Sequence, residues 1–128
     1  MTRVIKIGGR AQADPSLASA IRAATTADPV VVVHGGGDEV SALQRRLGVT
    51  PKFSGGRRVT TRDDLELVQM VLSGSANKRL VAALVGAQVR AVGISGEDDG
   101  LLRARATSRE TLGEVGAPRG SMPACSSS

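Results

Sequence analysis

Two short runs rich in β-branched residues, each ending in consecutive glycines, constrain the fold of this chain more than any other feature. Arg3–Ile7 leads into Gly8-Gly9, and Val30–Val33 leads through His34 into Gly35–Gly37. A β-branched run that stops at glycine is typical of a strand entering a tight turn. The continuous apolar run of the second segment predicts a strand that is buried on both faces of a parallel sheet.

Helical signals follow both glycine turns. After the first turn, Asp14-Pro15 predicts a helix start, and apolar residues at helical spacing extend this helix to about Ala27. After the second turn, apolar residues in Val40–Leu47 mark another helix, with Gly48 at its C-cap. The repeated order of strand, turn and helix predicts a βαβα unit, in which parallel strands are joined by right-handed crossovers.

The rest of the chain predicts a hairpin, a long helix and further strands. Residues 49–60 predict a hairpin or flap, and Thr61–Asp64 is a capping pattern at the start of a helix over residues 62–87. The third and fourth predicted strands are Val89–Ile94 and Leu101–Ala106. We therefore expect an α/β fold, a three-layer αβα arrangement with a mainly parallel open sheet, incomplete in this chain.

The composition excludes several classes of protein. The chain has 128 residues, a net charge of +5 and a single cysteine, Cys125, which excludes a disulfide framework and a cysteine-rich zinc site. No apolar run approaches the ~18 residues of a membrane span. Met1-Thr2-Arg3 leads directly into the first strand, so we expect no targeting peptide and a cytoplasmic location. The basic residues are scattered and Phe53 is the one aromatic residue, so we expect no nucleic-acid binding.

The two glycine turns are the candidate ligand site. Both follow parallel strands, so both lie at the carboxyl edge of the sheet, where backbone N–H groups and helix N-termini favour an anion. Lys6 precedes Gly8 by two residues, within an apolar strand. A lysine there is costly unless its ammonium group reaches an anion or solvent. We favour an anion contact; a lysine that snorkels to solvent from an exposed face is the alternative.

Other phosphate-binding and catalytic patterns fail. The chain has no Walker motif ending in Gly-Lys-Ser/Thr, and His34–Val40 does not complete the spaced three-glycine dinucleotide fingerprint. His34 has no serine or cysteine partner in view, so we interpret it as a structural residue of the turn and not as a general base.

Five elements, in this order, resemble the amino acid kinase family. They are Val4–Gly9 (VIKIGG), Val31–Gly37 (VVVHGGG), Gly56–Thr60 (GRRVT), Asn77-Lys78 and Ala91–Gly96 (AVGISG). The Gly-x-Arg-Val-Thr element resembles the acetylglutamate kinase branch of the family. The resemblance covers about residues 3–116.

This resemblance implies phosphorylation of the γ-carboxylate of N-acetyl-L-glutamate by ATP with Mg²⁺, giving N-acetylglutamyl phosphate in arginine biosynthesis. The roles it implies are stabilisation of the transferring phosphoryl group by Lys6, contacts to its oxygens from Gly8 and Gly9, binding of the acyl amino acid by Gly35 and Gly36, and pairing of its α-carboxylate with Arg58. It implies no metal ligand in this chain. The chemistry agrees, because a carboxylate with a pKa of about 4.3 is already ionised at neutral pH and needs no general base.

The resemblance also implies a division of the chain. Residues 1–116 correspond to the acyl-amino-acid-binding N-terminal lobe, and residues 117–128, rich in Pro and Ser, read as a disordered or non-native tail. Because family members are much longer, we interpret the chain as a truncated form without the nucleotide lobe and expect no ATP turnover by the chain alone. The alternatives are a non-catalytic acetylglutamate-binding or dimerisation module and a kinase for aspartate, glutamate or a carbamate. Apolar residues on several faces of helix 62–87 predict either a fully buried helix or a subunit contact. We favour a homodimer, because the resemblance implies that subunits pair through this region.

Overall fold

The computed structural model describes residues 1–121, with a mixture of helices and short strands. In chain order the elements are β1 (Arg3–Ile7), α1 (Leu17–Thr25), β2 (Val30–His34), α2 (Gly37–Arg46), β3 (Phe53–Ser54), β4 (Arg57–Arg58), α3 (Arg62–Gln69), α4 (Asn77–Gly86), β5 (Leu102–Ala106), α5 (Arg109–Leu112) and β6 (Gly116–Ser121). A 3₁₀ segment, Gly9–Ala13, precedes α1, and a π-helical segment, Met70–Ala76, joins α3 to α4. The predicted α/β class is confirmed. Within the described part, no helix has both the length and the apolar character needed to cross a membrane.

The predicted parallel pair is present. β1 and β2 run in parallel, from the pair Arg3–Val30 to the pair Ile7–His34. One face of this two-stranded sheet packs on α1 and α4, through a buried cluster formed by Ile7, Ile21, Leu80 and Leu84. This packing forms the main core of the described residues. Because β1 and β2 are parallel, the glycine turns that follow them lie at the same end of the sheet.

The opposite face of the sheet is open, which corrects the expectation that β2 is buried on both faces. Val4, Val31 and Val33 lie on this face and are 66%, 49% and 49% exposed. The continuous run of valines is typical of a strand between two helical layers. Residues 1–121 supply a helical layer on one side of the sheet only, so two of the three predicted layers are present in them.

The helices largely follow their sequence signals. Thr61 caps α3 with the predicted capping box, in which its hydroxyl accepts from the N–H of Asp64 and the Asp64 carboxylate accepts from the N–H of Thr61. The long helix changes to π geometry over Met70–Ala76, which contains Ser73-Gly74-Ser75. A second buried cluster, formed by Val40, Val71 and Ala76, packs α2 against this segment.

Helix α1 is shorter than predicted at both ends. The Asp14 carboxylate accepts hydrogen bonds from the hydroxyl and the N–H of Ser16, which lower the pKa of Asp14 and form a turn ahead of the helix. Beyond the other end, Asp28 pairs with the amino terminus of Met1 and with Arg3. These contacts tie the start of β1 to the residues just before β2.

The hairpin over residues 49–60 is present as β3 and β4, paired through Phe53–Arg58 and Ser54–Arg57. Its two turn residues, Gly55 and Gly56, have φ values of 55° and 76°. Two consecutive left-handed residues make the tight turn that matches strand twist, and glycine adopts them without steric strain.

The predicted third strand is wrong for the described part of the chain. Val89–Ile94 follows α4 without joining a sheet, and Val92 is 89% exposed. Side chains of α4 donate hydrogen bonds to carbonyl groups of this segment: Asn77 Nδ2 donates to Ile94 O, and Lys78 Nζ donates to Gly93 O. A cavity of about 730 Å³ separates the segment from the free edge of β2.

The predicted fourth strand is present as β5, but it is not part of the parallel sheet. It pairs antiparallel with β6, which spans Gly116–Ser121. Residues 117–121 are therefore strand, which differs from the predicted irregular tail. The remainder of that tail, residues 122–128, lies outside the described residues.

Candidate functional site

The structure brings the two glycine turns side by side. A methyl group placed on Gly9 would lie 3.5 Å from the Cα of Gly36, so the two backbones nearly touch. The side-chain amide of Gln12 donates a 2.6 Å hydrogen bond to Gly35 O. Sequence reasoning missed Gln12, which carries no signal of its own beyond its position just after the first turn.

Three glycine N–H groups in these turns have no hydrogen-bond partner in the described part of the chain. The N–H groups of Gly9, Gly36 and Gly37 donate to no acceptor among the described residues. The last two belong to the N-terminus of α2, whose dipole favours negative charge. A cleft of about 400 Å³ lies here, lined by Gly8, Gly9, Arg10, Gly37 and Asp38.

Two carboxylates in the first turn of α2 are paired, which limits their repulsion of an anion. Asp38 accepts a 3.1 Å contact from Arg10, and Glu39 accepts a 2.6 Å contact from Arg79. The Arg10 pair is almost fully exposed, so its stabilising effect is small. The cleft therefore combines free N–H donors with acidic residues whose charge is partly compensated.

Lys6 lies on the open face of β1, beside Val33 of β2. Its side chain is exposed, so solvent can hydrate the ammonium group without an anion. Because Lys6 is exposed, its charge does not require an anion partner. What supports an anion contact is then its position in the chain, two residues before Gly8. The role of Lys6 remains a prediction that depends on the family resemblance.

Arg58 is held against the start of α2 by side-chain hydrogen bonds. Its Nη1 donates to Gln44 Oε1, and its Nη2 donates to Ser41 Oγ at 2.7 Å and to Gly37 O at 2.8 Å. The Phe53 ring covers the guanidinium, 4.8 Å from the ring centroid. Burial lowers the pKa of Arg58, opposed by the nearby Asp64 carboxylate.

These contacts restrict how Arg58 could bind a carboxylate. The guanidinium has five N–H donors, and the three contacts leave two of them free. A carboxylate that takes a fork containing Nη2 must displace Gly37 O or Ser41 Oγ. The remaining donors, Nε–H and one Nη1–H, lie on different edges of the guanidinium, so a carboxylate that keeps these contacts accepts from only one of them.

A buried amide connects Arg58 to a carboxylate on α3. Gln44 accepts from Arg58 and donates through Nε2 to Asp64 Oδ1. Burial raises the pKa of Asp64, but hydrogen bonds from Thr61 and Gln44 outweigh this effect, so the net pKa lies below its usual range. Sequence reasoning missed Gln44; the available signal is a polar residue on the buried side of α2.

His34 occupies a structural position in the second turn. Its Nδ1 lies 3.1 Å from Gly35 O, and its Nε2 lies 3.3 Å from the amide of Asn77. Gly93 approaches Asn77 so closely that any side chain there would overlap it. Three of the segments that carry the family resemblance therefore meet behind the glycine turns.

The described residues fit part of the implied cofactor. The glycine turns and their free N–H groups suit the phosphate end of ATP, whereas the residues that line the cleft offer no apolar side chain to a base. Within residues 1–121, no three His, Cys, Asp or Glu side chains cluster as a metal site would require. We assign no magnesium ligand here.

Comparison with known proteins decides the family. The model of the amino acid kinase family matches residues 1–119. The chain belongs to the amino acid kinase family. It is 52% identical over 87 residues to the acetylglutamate kinase of Bacillus subtilis strain 168, which covers 68% of this chain and 34% of that protein. It is 47% identical over 120 residues to the acetylglutamate kinase of Chloroflexus aggregans, covering 88% of this chain and 46% of the relative.

Solved structures agree with the fold of this family member. The protein smu.665 of Streptococcus mutans superposes with a TM-score of 0.86 at 31% identity, over 94% of this chain and 51% of that protein. The N-acetylglutamate synthase of Neisseria gonorrhoeae, solved with coenzyme A and N-acetyl-glutamate, superposes with a TM-score of 0.73 at 27% identity, over 94% and 28%. The chain thus spans less than half the length of the sequence relatives described above.

Proposed function

We propose that this chain forms the acyl-amino-acid-binding part of an acetylglutamate kinase. The reaction is transfer of the terminal phosphoryl group of ATP to the γ-carboxylate of N-acetyl-L-glutamate, with N-acetylglutamyl phosphate and ADP as products. The observation that carries the proposal is the pair of adjoining glycine turns, in which Gly9 and Gly37, whose N–H groups are free, line one cleft. The names of the relatives support the choice of substrate.

The chemistry of the cleft suits the meeting of two anions. A γ-carboxylate is already ionised at neutral pH, so no side chain need remove a proton before it attacks phosphorus. Preorganised hydrogen-bond donors stabilise the charge that develops on the phosphoryl oxygens. The backbone N–H groups of Gly8 and Gly9 act as such donors in this proposal. Lys6 adds a positive charge two residues away. ATP, when bound, is the phosphoryl donor.

The second glycine turn and the β3–β4 hairpin orient the substrate in this proposal. Gly35 and Gly36 offer backbone groups to the acyl amino acid, and Arg58 offers one of its remaining N–H donors to the α-carboxylate. A charged hydrogen bond of this kind contributes about 1.5–3 kcal/mol. We assign no role to magnesium ligands, because the described residues do not cluster into a metal site.

The proposal extends to the organisation of the chain. We propose that residues 1–116 form the acyl-amino-acid lobe. We further propose that the protein is a cytoplasmic homodimer paired through α3 and the π-helical segment. Among the apolar residues of that helical stretch, Met70 is the most exposed at 59%. The proposed contact therefore centres on Met70.

The test is titration of the ¹⁵N-labelled chain with N-acetyl-L-glutamate, followed by amide chemical shifts. We expect the largest shifts at Gly35 and Gly36, and weaker binding of L-glutamate and L-aspartate. Arg58→Ala should weaken binding at least tenfold, and the neighbouring exposed Arg57→Ala should not. Shifts confined to other regions, or equal affinity for all three ligands, would contradict the proposed substrate.

A second candidate is an acetylglutamate-binding module that does not turn over ATP. It is favoured by the lining of the cleft at the glycine turns, where Gly8, Gly9, Arg10, Gly37 and Asp38 offer no apolar side chain to a nucleoside base. Separate titration with ATP distinguishes the two candidates. Perturbation of Gly8 and Gly9 by ATP supports the kinase site, whereas binding of acetylglutamate alone supports the module.

A further inference from the structure

Gln44 is the largest fully buried side chain among the described residues, with 1% of its surface exposed. It lies on α2, on the helix face that also buries Val40. An apolar residue is the usual occupant of such a position, and a buried amide is costly unless all its polar groups are hydrogen-bonded. The contacts of the Gln44 amide are ones that an apolar residue at this position cannot make.

The amide joins a cation to an anion. Its oxygen accepts from Arg58 Nη1, and its nitrogen donates to Asp64 Oδ1. An amide can do both at once, whereas an ionised carboxylate cannot donate, a thioether accepts only weakly and cannot donate, and an alkyl group can do neither. The two charges also fix which end of the amide faces which neighbour.

Asp64 is itself immobilised by the cap of α3. Its Oδ2 accepts from Thr61 Oγ1 at 2.8 Å and from Thr61 N at 3.2 Å, while its N–H donates to the Thr61 hydroxyl. The carboxylate is therefore a fixed point at a helix N-terminus. Through Gln44, this fixed point reaches the guanidinium of Arg58.

The backbone beside Arg58 is also anchored. The N–H of Thr60 donates to Leu112 O at 2.9 Å, and Thr60 O accepts from the N–H of Glu114 at 2.7 Å. Both ends of the Arg58 side chain are thus restrained, the backbone by this pairing and the guanidinium by Gln44. A long side chain normally loses much rotamer freedom when it binds a ligand.

We propose that Gln44 is a positioning residue for Arg58, with Asp64 as its anchor, and that this chain of contacts directs a remaining guanidinium N–H toward the α-carboxylate of an acyl amino acid. The identity of the ligand rests on the proposed function. The positioning of Arg58 rests on the contacts alone. Because the arginine is restrained before the ligand arrives, less freedom is lost on binding.

The first measurement follows the Arg58 Nε–H signal in the 128-residue chain, labelled with ¹⁵N-arginine and assigned through its loss in Arg58→Lys. In the wild type we expect slow rotation about the Nε–Cζ bond and separate Nη signals. Gln44→Met keeps the volume and removes the hydrogen bonds, so the signals should average. Gln69→Met is the matched control, since the amide of Gln69 contacts Glu97 on the surface. Unchanged Arg58 dynamics in folded Gln44→Met overturn the proposal.

The second measurement compares N-acetyl-L-glutamate with N-acetyl-L-isoglutamine, in which a carboxamide replaces the α-carboxylate. The wild type and Gln69→Met should prefer the acid by about tenfold, which corresponds to about 1.4 kcal/mol. Gln44→Met should lose this preference while its affinity for the carboxamide stays the same. A preference retained in Gln44→Met overturns the proposal. If the wild type binds neither compound, the proposed function fails and the nitrogen signals alone decide the positioning.

A second pair of variants guards against a folding defect in Gln44→Met. Asp64→Asn removes the anchor charge with little change in shape, and Asp63→Asn removes the same charge from an exposed neighbour. We expect Asp64→Asn to loosen the Arg58 signals and weaken the preference for the acid, and Asp63→Asn to change neither. Equal effects of the two variants would contradict the anchor role of Asp64.

Discussion

The amide of Gln12 donates a 2.6 Å hydrogen bond to the carbonyl of Gly35, so the segment after β1 holds the turn after β2. This contact crosses between the two turns that the proposed site requires. It also restrains the carbonyl of Gly35, so the peptide that contributes the N–H of Gly36 has a fixed orientation. The geometry of the cleft therefore depends on a side chain outside both glycine runs.

We expect Gln12→Met to weaken N-acetyl-L-glutamate binding by about tenfold, because Gly35 is then free to reorient. Loss of the single hydrogen bond should lower the free energy of unfolding by about 1 kcal/mol. Calorimetric titration and urea denaturation measure the two quantities. The same substitution at exposed Gln69 is the control, and equal ligand affinity in both variants would contradict a role for Gln12.

Gly93→Ala should destabilise the protein more than an ordinary surface substitution. A methyl group at this position overlaps the buried Asn77 side chain and approaches Val81 Cγ2 to 2.8 Å. Overpacking of this kind costs about 1–3 kcal/mol. Gly74→Ala is the contrasting variant, because no atom lies within 4 Å of its added methyl group. Denaturation that shows Gly93→Ala to be as stable as the wild type would mean that Val89–Ile94 does not pack on α4 as described.

The fold could be predicted where a local pattern determines a local structure. The strands β1 and β2, the hairpin turn at Gly55-Gly56 and the capping box at Thr61 all depend on neighbours within a few residues. The valine run of β2 led to the wrong prediction that both faces of the strand are buried. An apolar run shows that a strand can lie between two helical layers, but the described residues place helices on one face only. Val89–Ile94 has the composition of a strand, yet its carbonyls bond to side chains of α4 that no local pattern reveals.

The site was predictable to the extent that backbone conformation identifies it. Glycine runs after strands indicated the two turns, and the Gly-x-Arg-Val-Thr element drew attention to Arg58. The restraints on Arg58 were not predictable, because Gln44 and Asp64 lie 14 residues before it and 6 residues after it and meet only through packing of α2 on α3. A buried polar residue on an apolar helix face is the one signal that points to such a network.

Asp64 should make stability depend on pH in the acid range. Its pKa in the folded state is lowered, because hydrogen bonds from Thr61 and Gln44 outweigh the effect of burial. Its contribution is therefore present above the unfolded pKa of about 3.9 and is lost as pH falls through the folded value. We expect the free energy of unfolding to fall below about pH 4 and to fall less steeply in Asp64→Asn. Urea denaturation at a series of pH values measures this, with Asp63→Asn as the control; identical slopes in all three proteins would contradict the assignment.

Lys6 should act in turnover rather than in binding of the acyl amino acid. In a catalytically active enzyme that contains this segment, we expect Lys6→Ala to lower kcat by about 10²–10³-fold, because the ammonium stabilises charge on the transferring phosphoryl group. The dissociation constant for N-acetyl-L-glutamate should stay within about threefold. Steady-state kinetics and direct titration measure the two effects, and exposed Lys52→Ala is the control. An unaltered kcat would leave Lys6 as a solvated lysine on an open strand face.

The open face of the β1–β2 sheet should make the isolated chain associate. Val4, Val31 and Val33 present a row of exposed β-branched side chains, and uncovered apolar faces are typical sites of association. We expect sedimentation velocity to show concentration-dependent association of the wild type. Val31→Thr combined with Val33→Thr should reduce it, because threonine keeps strand propensity while lowering apolar area. Val85 on α4 is 51% exposed but lies outside this face, so Val85→Thr should leave association unchanged. Association of the double variant to the same extent as the wild type would assign the contact to another surface, with Met70 of the π-helical segment as the next position to substitute.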